Sequence, residues 1–153
     1  MGAWIGLVGV VAGALVALVS QYLVRNSEAR ERKDMLLLEQ LAVLVALSED
    51  YRNRVWEERT KVATGVVATW DLGAYRLAEA RLRILCQDSN VLSALLSLKK
   101  AGGELGTSWR LSPEDEARTQ AAWEAHRAAV NEFIAASSQA YRGSRFALAG
   151  SQS

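Results

Sequence analysis

The chain has 153 residues, half of them hydrophobic, with 18 basic and 17 acidic side chains for a formal net charge of +1. That balance excludes a dedicated nucleic-acid binder, which carries a basic stripe or a domain-wide basic excess. A single cysteine and a single histidine exclude an intrachain disulfide, a cysteine-based zinc cluster and any two-histidine metal site, and the lone Cys86 suits a reducing compartment.

Residues 3–24 carry no charged side chain, and Leu, Ile and Val make up half of them. As a helix this run spans roughly 33 Å at ~1.5 Å per residue, close to the ~30 Å hydrocarbon core of a bilayer. It predicts a single transmembrane anchor over residues 1–25. Trp4 and Tyr22 stand near its two ends, where amphipathic rings settle at headgroup level. A cleaved signal peptide fits less well, because residues 1–4 carry no basic side chain and the apolar stretch is too long. Gly6 occupies the Ser/Thr position of a myristoylation signal, so that anchor is not predicted either.

Arg25, Arg30, Arg32 and Lys33 follow the run, and nothing basic precedes it among the side chains. The positive-inside rule therefore predicts an inner-membrane protein with its N-terminus outside and its C-terminal domain in the cytoplasm. Gly2, Gly6, Gly9, Gly13, Ala17 and Ser20 recur at steps of three and four, which gathers them on one helix face. Small residues there let a second helix approach closely, so a homo-oligomer within the lipid bilayer is expected.

Beyond the anchor, residues 26–142 predict a cytoplasmic helical bundle with helices at about 27–64, 71–86, 89–101 and 112–141, and residues 143–153 a flexible tail. In the first helix Leu37, Leu41, Leu44, Leu47, Tyr51 and Val55 keep a helical period. Leu36 to Leu38 and Val43 to Val45 widen the stripe beyond a two-in-seven coiled-coil seam, so it should face several helices, with a parallel coiled coil open to its first turns only. Thr64 and Gly65 are expected to interrupt it.

Asp71 reads as the cap of a second helix with Leu72, Tyr75, Leu77, Ala78, Leu82 and Leu85 on its apolar side, and Asp88, Ser89 and Asn90 offer capping oxygens for a third. Arg76, Arg81 and Arg83 read equally well as contacts for an acidic partner or lipid headgroup and as a charged outer face with Glu79 among them. Gly102, Gly103 and Gly106 predict the main loop, residues 102–111, with Trp109 folded back over a bundle end. Ser112, Pro113, Glu114 and Asp115 then form a start signal for the last helix, whose expected core positions are Ala117, Ala121, Trp123, Val130, Phe133, Ile134 and Tyr141.

No constellation names a reaction. His126 lacks the partners of a triad or a di-iron motif and reads as a solvated or partly buried helix residue. Glu57, Glu58 and residues 114–116 read as solvated acids. The glycines lack the Lys-Ser/Thr of a phosphate loop, and Cys86 among Arg83, Ile84 and Leu85 reads as a small core residue.

The Gly-rich start (Gly6, Leu7, Val8, Gly9, Gly13), the charged stretch after it, and Arg81-Leu82-Arg83-Ile84-Leu85 leading through Asp88-Ser89-Asn90-Val91 into a short helix resemble a loose group of small single-span membrane proteins from high-GC bacteria and their phages. The resemblance implies an anchored helical protein and assigns no activity or site residue. With it the expectation is an all-α, non-enzymatic interaction or scaffold module with no cofactor, bound to the bilayer, to copies of itself and to an unidentified protein partner, and not to nucleic acid. The alternative is a membrane-perturbing protein of the holin or small-toxin type, against which stands a soluble part several times larger than pore formation requires.

Overall fold

The computed structural model describes residues 3–61, 64–111 and 114–149, and the side chains of residue 25 and of residues 28–61, 64–111 and 114–142. Among these residues the chain is all-α. Helix α1 covers Ala3–Lys61, α2 Leu72–Leu85, α3 Ser89–Leu111 and α4 Glu116–Ala149, with a 3-10 turn at Val67–Thr69. The chain divides into two units, Met1–Leu38 and Glu39–Ser153.

In the first unit the described side chains are exposed, apart from the half-buried Asp34 and Leu37. Among the described residues no helix is long and apolar enough to cross a membrane. The run of residues 3–24 assigned to the anchor lies outside the described side chains.

The second unit is built on the core that the periodicity predicts for α1: Leu41, Leu44, Tyr51 and Val55 are buried. Leu36, Leu38 and Val43 are exposed instead of facing other helices. Val43 stands about 100° of helix rotation away from Leu44, outside its buried face, and Leu36 and Leu38 belong to the first unit. Tyr75, Ala78 and Leu82 of α2, Val91, Ala94, Leu95, Leu98, Ala101 and Leu105 of α3, and Ala122, Ala129, Val130 and Phe133 of α4 complete the interior, with Cys86 between α2 and α3 as the expected small core residue.

Neighbouring helices run in opposite directions, as the side-chain pairs show. Arg59 donates to Glu116 at 2.8 Å and to Gln120 at 3.3 Å, whereas Tyr51, two turns earlier on α1, meets His126 further along α4. Glu79 of α2 pairs with Lys99 of α3. The helix starts follow local chemistry: the Asp71 carboxylate accepts from Ala74 N–H at 2.8 Å, and Asp88 accepts from Asn90 and Val91 at 2.8 and 3.1 Å. Each satisfies amides that have no partner within the helix.

Gly65, at φ +87°, stands in the turn that follows α1, where the sequence places an interruption, in the left-handed region that glycine enters without a Cβ penalty. Two boundaries differ from the sequence expectation. Helix α3 continues through Gly102, Gly103 and Gly106 to Leu111, so no main loop exists there. Helix α4 begins at Glu116 and is capped by Asp115, which accepts from Arg118 N–H at 2.9 Å, while the expected cap and first residue, 112 and 113, lie outside the described residues. Its backbone runs to Ala149, past the expected end at Tyr141.

Candidate functional site: an aromatic cavity beside a buried polar seam

A connector between α1 and α2 is fastened to α1 by polar bonds. The Glu58 carboxylate accepts from Gly65 N–H at 3.1 Å and Val67 N–H at 2.8 Å. Arg54, already paired with Asp50 at 2.8 Å, also reaches the Thr69 hydroxyl. These bonds deliver Trp70, whose indole N–H donates to the Leu47 carbonyl at 2.9 Å. Glu58, expected to be a solvated acid, is thus the organiser of this corner.

Trp70 stands between two tyrosines. Its ring centroid is 4.7 Å from that of Tyr51 and 5.4 Å from that of Tyr75, with interplanar angles of 50° and 48°. Such tilted contacts bring ring edges toward neighbouring faces, the arrangement favoured by aromatic quadrupoles. Tyr51 in turn meets the His126 ring edge-on at 6.1 Å. With Leu72, Leu98, Ser48 and the backbone of Gly102 and Gly103 these rings enclose a cavity of about 330 Å³, bordered by Arg76, Glu79 and Lys99.

Gly106 of α3 is what lets the Tyr51 ring in, while Gly102 lies at ordinary contact distance from His126. A Cβ on Gly106 would lie 2.5 Å from the Tyr51 hydroxyl, and one on Gly102 would lie 3.7 Å from the His126 ring. They stand one turn apart and receive side chains from two different helices.

Two charged features flank the cavity. Glu79, expected on a charged outer face, is 6% exposed, and its Oε1 accepts from Arg83 at 2.8 Å and Lys99 at 3.0 Å. Tyr75 has its pKa pushed up to about 12, first by burial and then by the Glu79 charge. Burial also raises Tyr51, against a smaller opposing effect of Arg110.

Behind the His126 ring lies a polar seam. Thr119, Trp123 and His126 stand at successive turns of α4, and Arg52 of α1, paired with Glu49, places its guanidinium 5.1 Å from the Trp123 ring centroid. The Thr119 hydroxyl, Trp123 indole N–H, His126 Nδ1 and the Arg52 Nε and Nη1 atoms are buried without hydrogen-bond partners. His126 is 2% exposed rather than solvated. Burial, and secondarily the Arg52 charge, lower its pKa to about 4, so it is neutral near pH 7.

The residues singled out from the sequence fall elsewhere in the chain. Gly2, Gly6, Gly9, Gly13, Ala17, Ser20, Trp4 and Tyr22 lie outside the described side chains, and Arg25, Arg30, Arg32 and Lys33 are exposed in the other unit. Trp109 packs against the Tyr51, Val55 and Leu105 cluster, as an apolar cover, but from within a helix. No spacing in the sequence signals the cavity, since Tyr51, Trp70 and Tyr75 are 19 and 5 residues apart and share no period. Among the described residues no three His, Cys, Asp or Glu side chains gather into a metal-holding group. Comparison with known proteins finds no matching family model, no similar curated protein and no similar solved structure.

Proposed function

We propose that this chain is a membrane-tethered, non-catalytic helical module that associates with copies of itself through its apolar N-terminal segment and offers its bundle to a protein partner on the cytoplasmic side of the inner membrane. The observation that carries the reading is the charge-free run of residues 3–24 followed by Arg25, Arg30, Arg32 and Lys33. The small-residue ladder from Gly2 to Ser20 supports self-association. A bundle whose interior is apolar apart from paired or isolated polar groups supports a binding role.

The test is to express the full chain, wash the membranes with carbonate, and crosslink the protein in lipid. Retention in the membrane, with a crosslinked dimer or larger species weakened by Gly9→Leu and Gly13→Leu, is the expected result. Recovery in the aqueous fraction without detergent overturns the tether. An unchanged monomer overturns self-association, and loss of membrane potential on induction gives the reading to a pore-forming protein.

A further inference from the structure

The cavity of the bundle differs in character between its floor and its mouth. Tyr51, Tyr75, Leu98 and His126 on the floor are buried, whereas Leu72, Arg76, Lys99 and Gly103 are exposed and so form the opening. The floor is aromatic and already organised, because Trp70 is tied to the Leu47 carbonyl and the Ser48 hydroxyl is committed to the Leu44 carbonyl at 2.7 Å. A pocket that needs no rearrangement loses little free energy in ordering when it is filled.

Charge at the mouth is one-sided. The Glu79 carboxylate is taken up by Arg83 and Lys99 together. Arg76 has no carboxylate within ion-pair distance among the described residues. A guanidinium at the edge of an apolar pocket favours a carboxylate, which it binds through a planar, charge-assisted fork.

From the ring-lined floor, the 330 Å³ volume and the free Arg76, we propose that this cavity binds a small aromatic carboxylate, its ring system against Tyr51, Trp70, Tyr75 and His126 and its carboxylate at Arg76. The volume is roughly twice the ~150 Å³ that accommodates a benzene ring in an apolar cavity, which fits one or two fused rings with a short substituent. Walls tilted by about 50° offer a flat guest both face and edge contacts, which an alkyl chain does not exploit. The inference is independent of membrane attachment.

The experiment titrates the purified full chain, in lipid nanodiscs against empty nanodiscs if it is retained by membranes and in plain buffer if it is recovered in the aqueous fraction, using 2-naphthoate, its neutral amide, the cationic 2-naphthylmethylammonium, and octanoate. Saturable binding of 2-naphthoate, roughly tenfold tighter than that of the amide, is expected from one charge-assisted pair. Arg76→Gln, at an exposed position, removes that preference and leaves amide binding unchanged. Gly103→Leu fills the mouth: a Cβ there meets nothing within 4 Å, so the variant unfolds at a midpoint no lower than that of the parent chain while losing binding. Equal affinity for acid and amide, preference for the cation or octanoate, or undiminished binding by folded Gly103→Leu each overturns the proposal.

Discussion

The Tyr51 hydroxyl occupies the space beside Gly106 so closely that a Cβ at that position would come within 2.5 Å of its oxygen, while the next ring atom, Cζ, would be 3.8 Å away. An aromatic ring from α1 is therefore admitted to the interior by the missing side chain of one residue on α3, and the conflict created by restoring that side chain falls on a single oxygen atom.

Gly106→Ala is expected to lower stability by about 1–3 kcal/mol through overpacking, despite the helix propensity that alanine adds. Tyr51→Phe in the same chain removes the conflicting oxygen and restores most of the loss. Gly103→Ala, with open space around it, raises stability by about 0.5–1 kcal/mol. Urea unfolding of the four proteins followed by circular dichroism checks this, and a destabilised double variant would refute it.

Protonation of His126 is expected to weaken the fold in acid. Its folded pKa of about 4 lies below the ordinary 6.5, so between these values the unfolded chain binds the proton more readily and stability falls as pH drops. The contribution is fully present above about pH 6.5 and is lost on approaching pH 4, amounting to about 3 kcal/mol. His126→Gln flattens that part of the stability profile. Arg52→Met raises the histidine pKa only part of the way, because burial is the larger cause, and NMR titration of the single imidazole reads this directly.

Glu79→Ala is expected to cost about 1–2 kcal/mol, less than the ~3–5 kcal/mol of a fully enclosed ion pair. The reason is that the side chains of Arg83 and Lys99 are about half exposed and regain water when the carboxylate is gone. Lys99→Met costs less than Glu79→Ala, since Arg83 still covers the carboxylate. Thermal unfolding midpoints rank the two variants, and the reverse order would count against the arrangement.

Glu58→Ala is expected to cost about 1–2 kcal/mol by releasing two backbone amides from a charged acceptor. Amide hydrogen exchange locates the loss: Gly65 and Val67 lose protection ahead of the bundle core. Uniform loss of protection would instead make Glu58 a global determinant.

Residues whose role is local were legible in the sequence. Asp71 and Asp88 cap because a short carboxylate next to a helical run has amides within reach, and Gly65 turns the chain because no neighbour needs to be known to see it. Leu41, Leu44, Tyr51 and Val55 were legible because a helix of mixed polarity writes its buried face in the period. The α4 face was legible only in part: Val130 and Phe133 are buried as expected, but among so many alanines the period is weak, and Thr119, Ala122, His126 and Ala129 complete the buried set, whereas Ala117, Ala121 and Ile134 are exposed and Trp123 and Tyr141 half-buried.

Tertiary causes were hidden for a different reason. Gly102, Gly103 and Gly106 have the local signature of a loop, yet all three lie within α3, which packs against α4 and, at Gly106, against the Tyr51 hydroxyl. Glu58 resembled a solvated acid because the amides it accepts from lie seven and nine residues away, and Glu79 because Lys99, which joins Arg83 in covering it, lies twenty residues away. The cavity was missed because Tyr51, Trp70, Tyr75 and His126 come from three helices and a connector, and only the fold brings them together.

The corner that carries Trp70 has one more implication. Residues 65–70 are tied to α1 at Glu58, Arg54 and Leu47 by side-chain bonds, so their attachment does not depend on the peptide link that leads into them. A protease cut just before Thr64 would leave two polypeptides that still co-elute as one particle, and the bundle can be regarded as a complex that happens to be encoded on one strand.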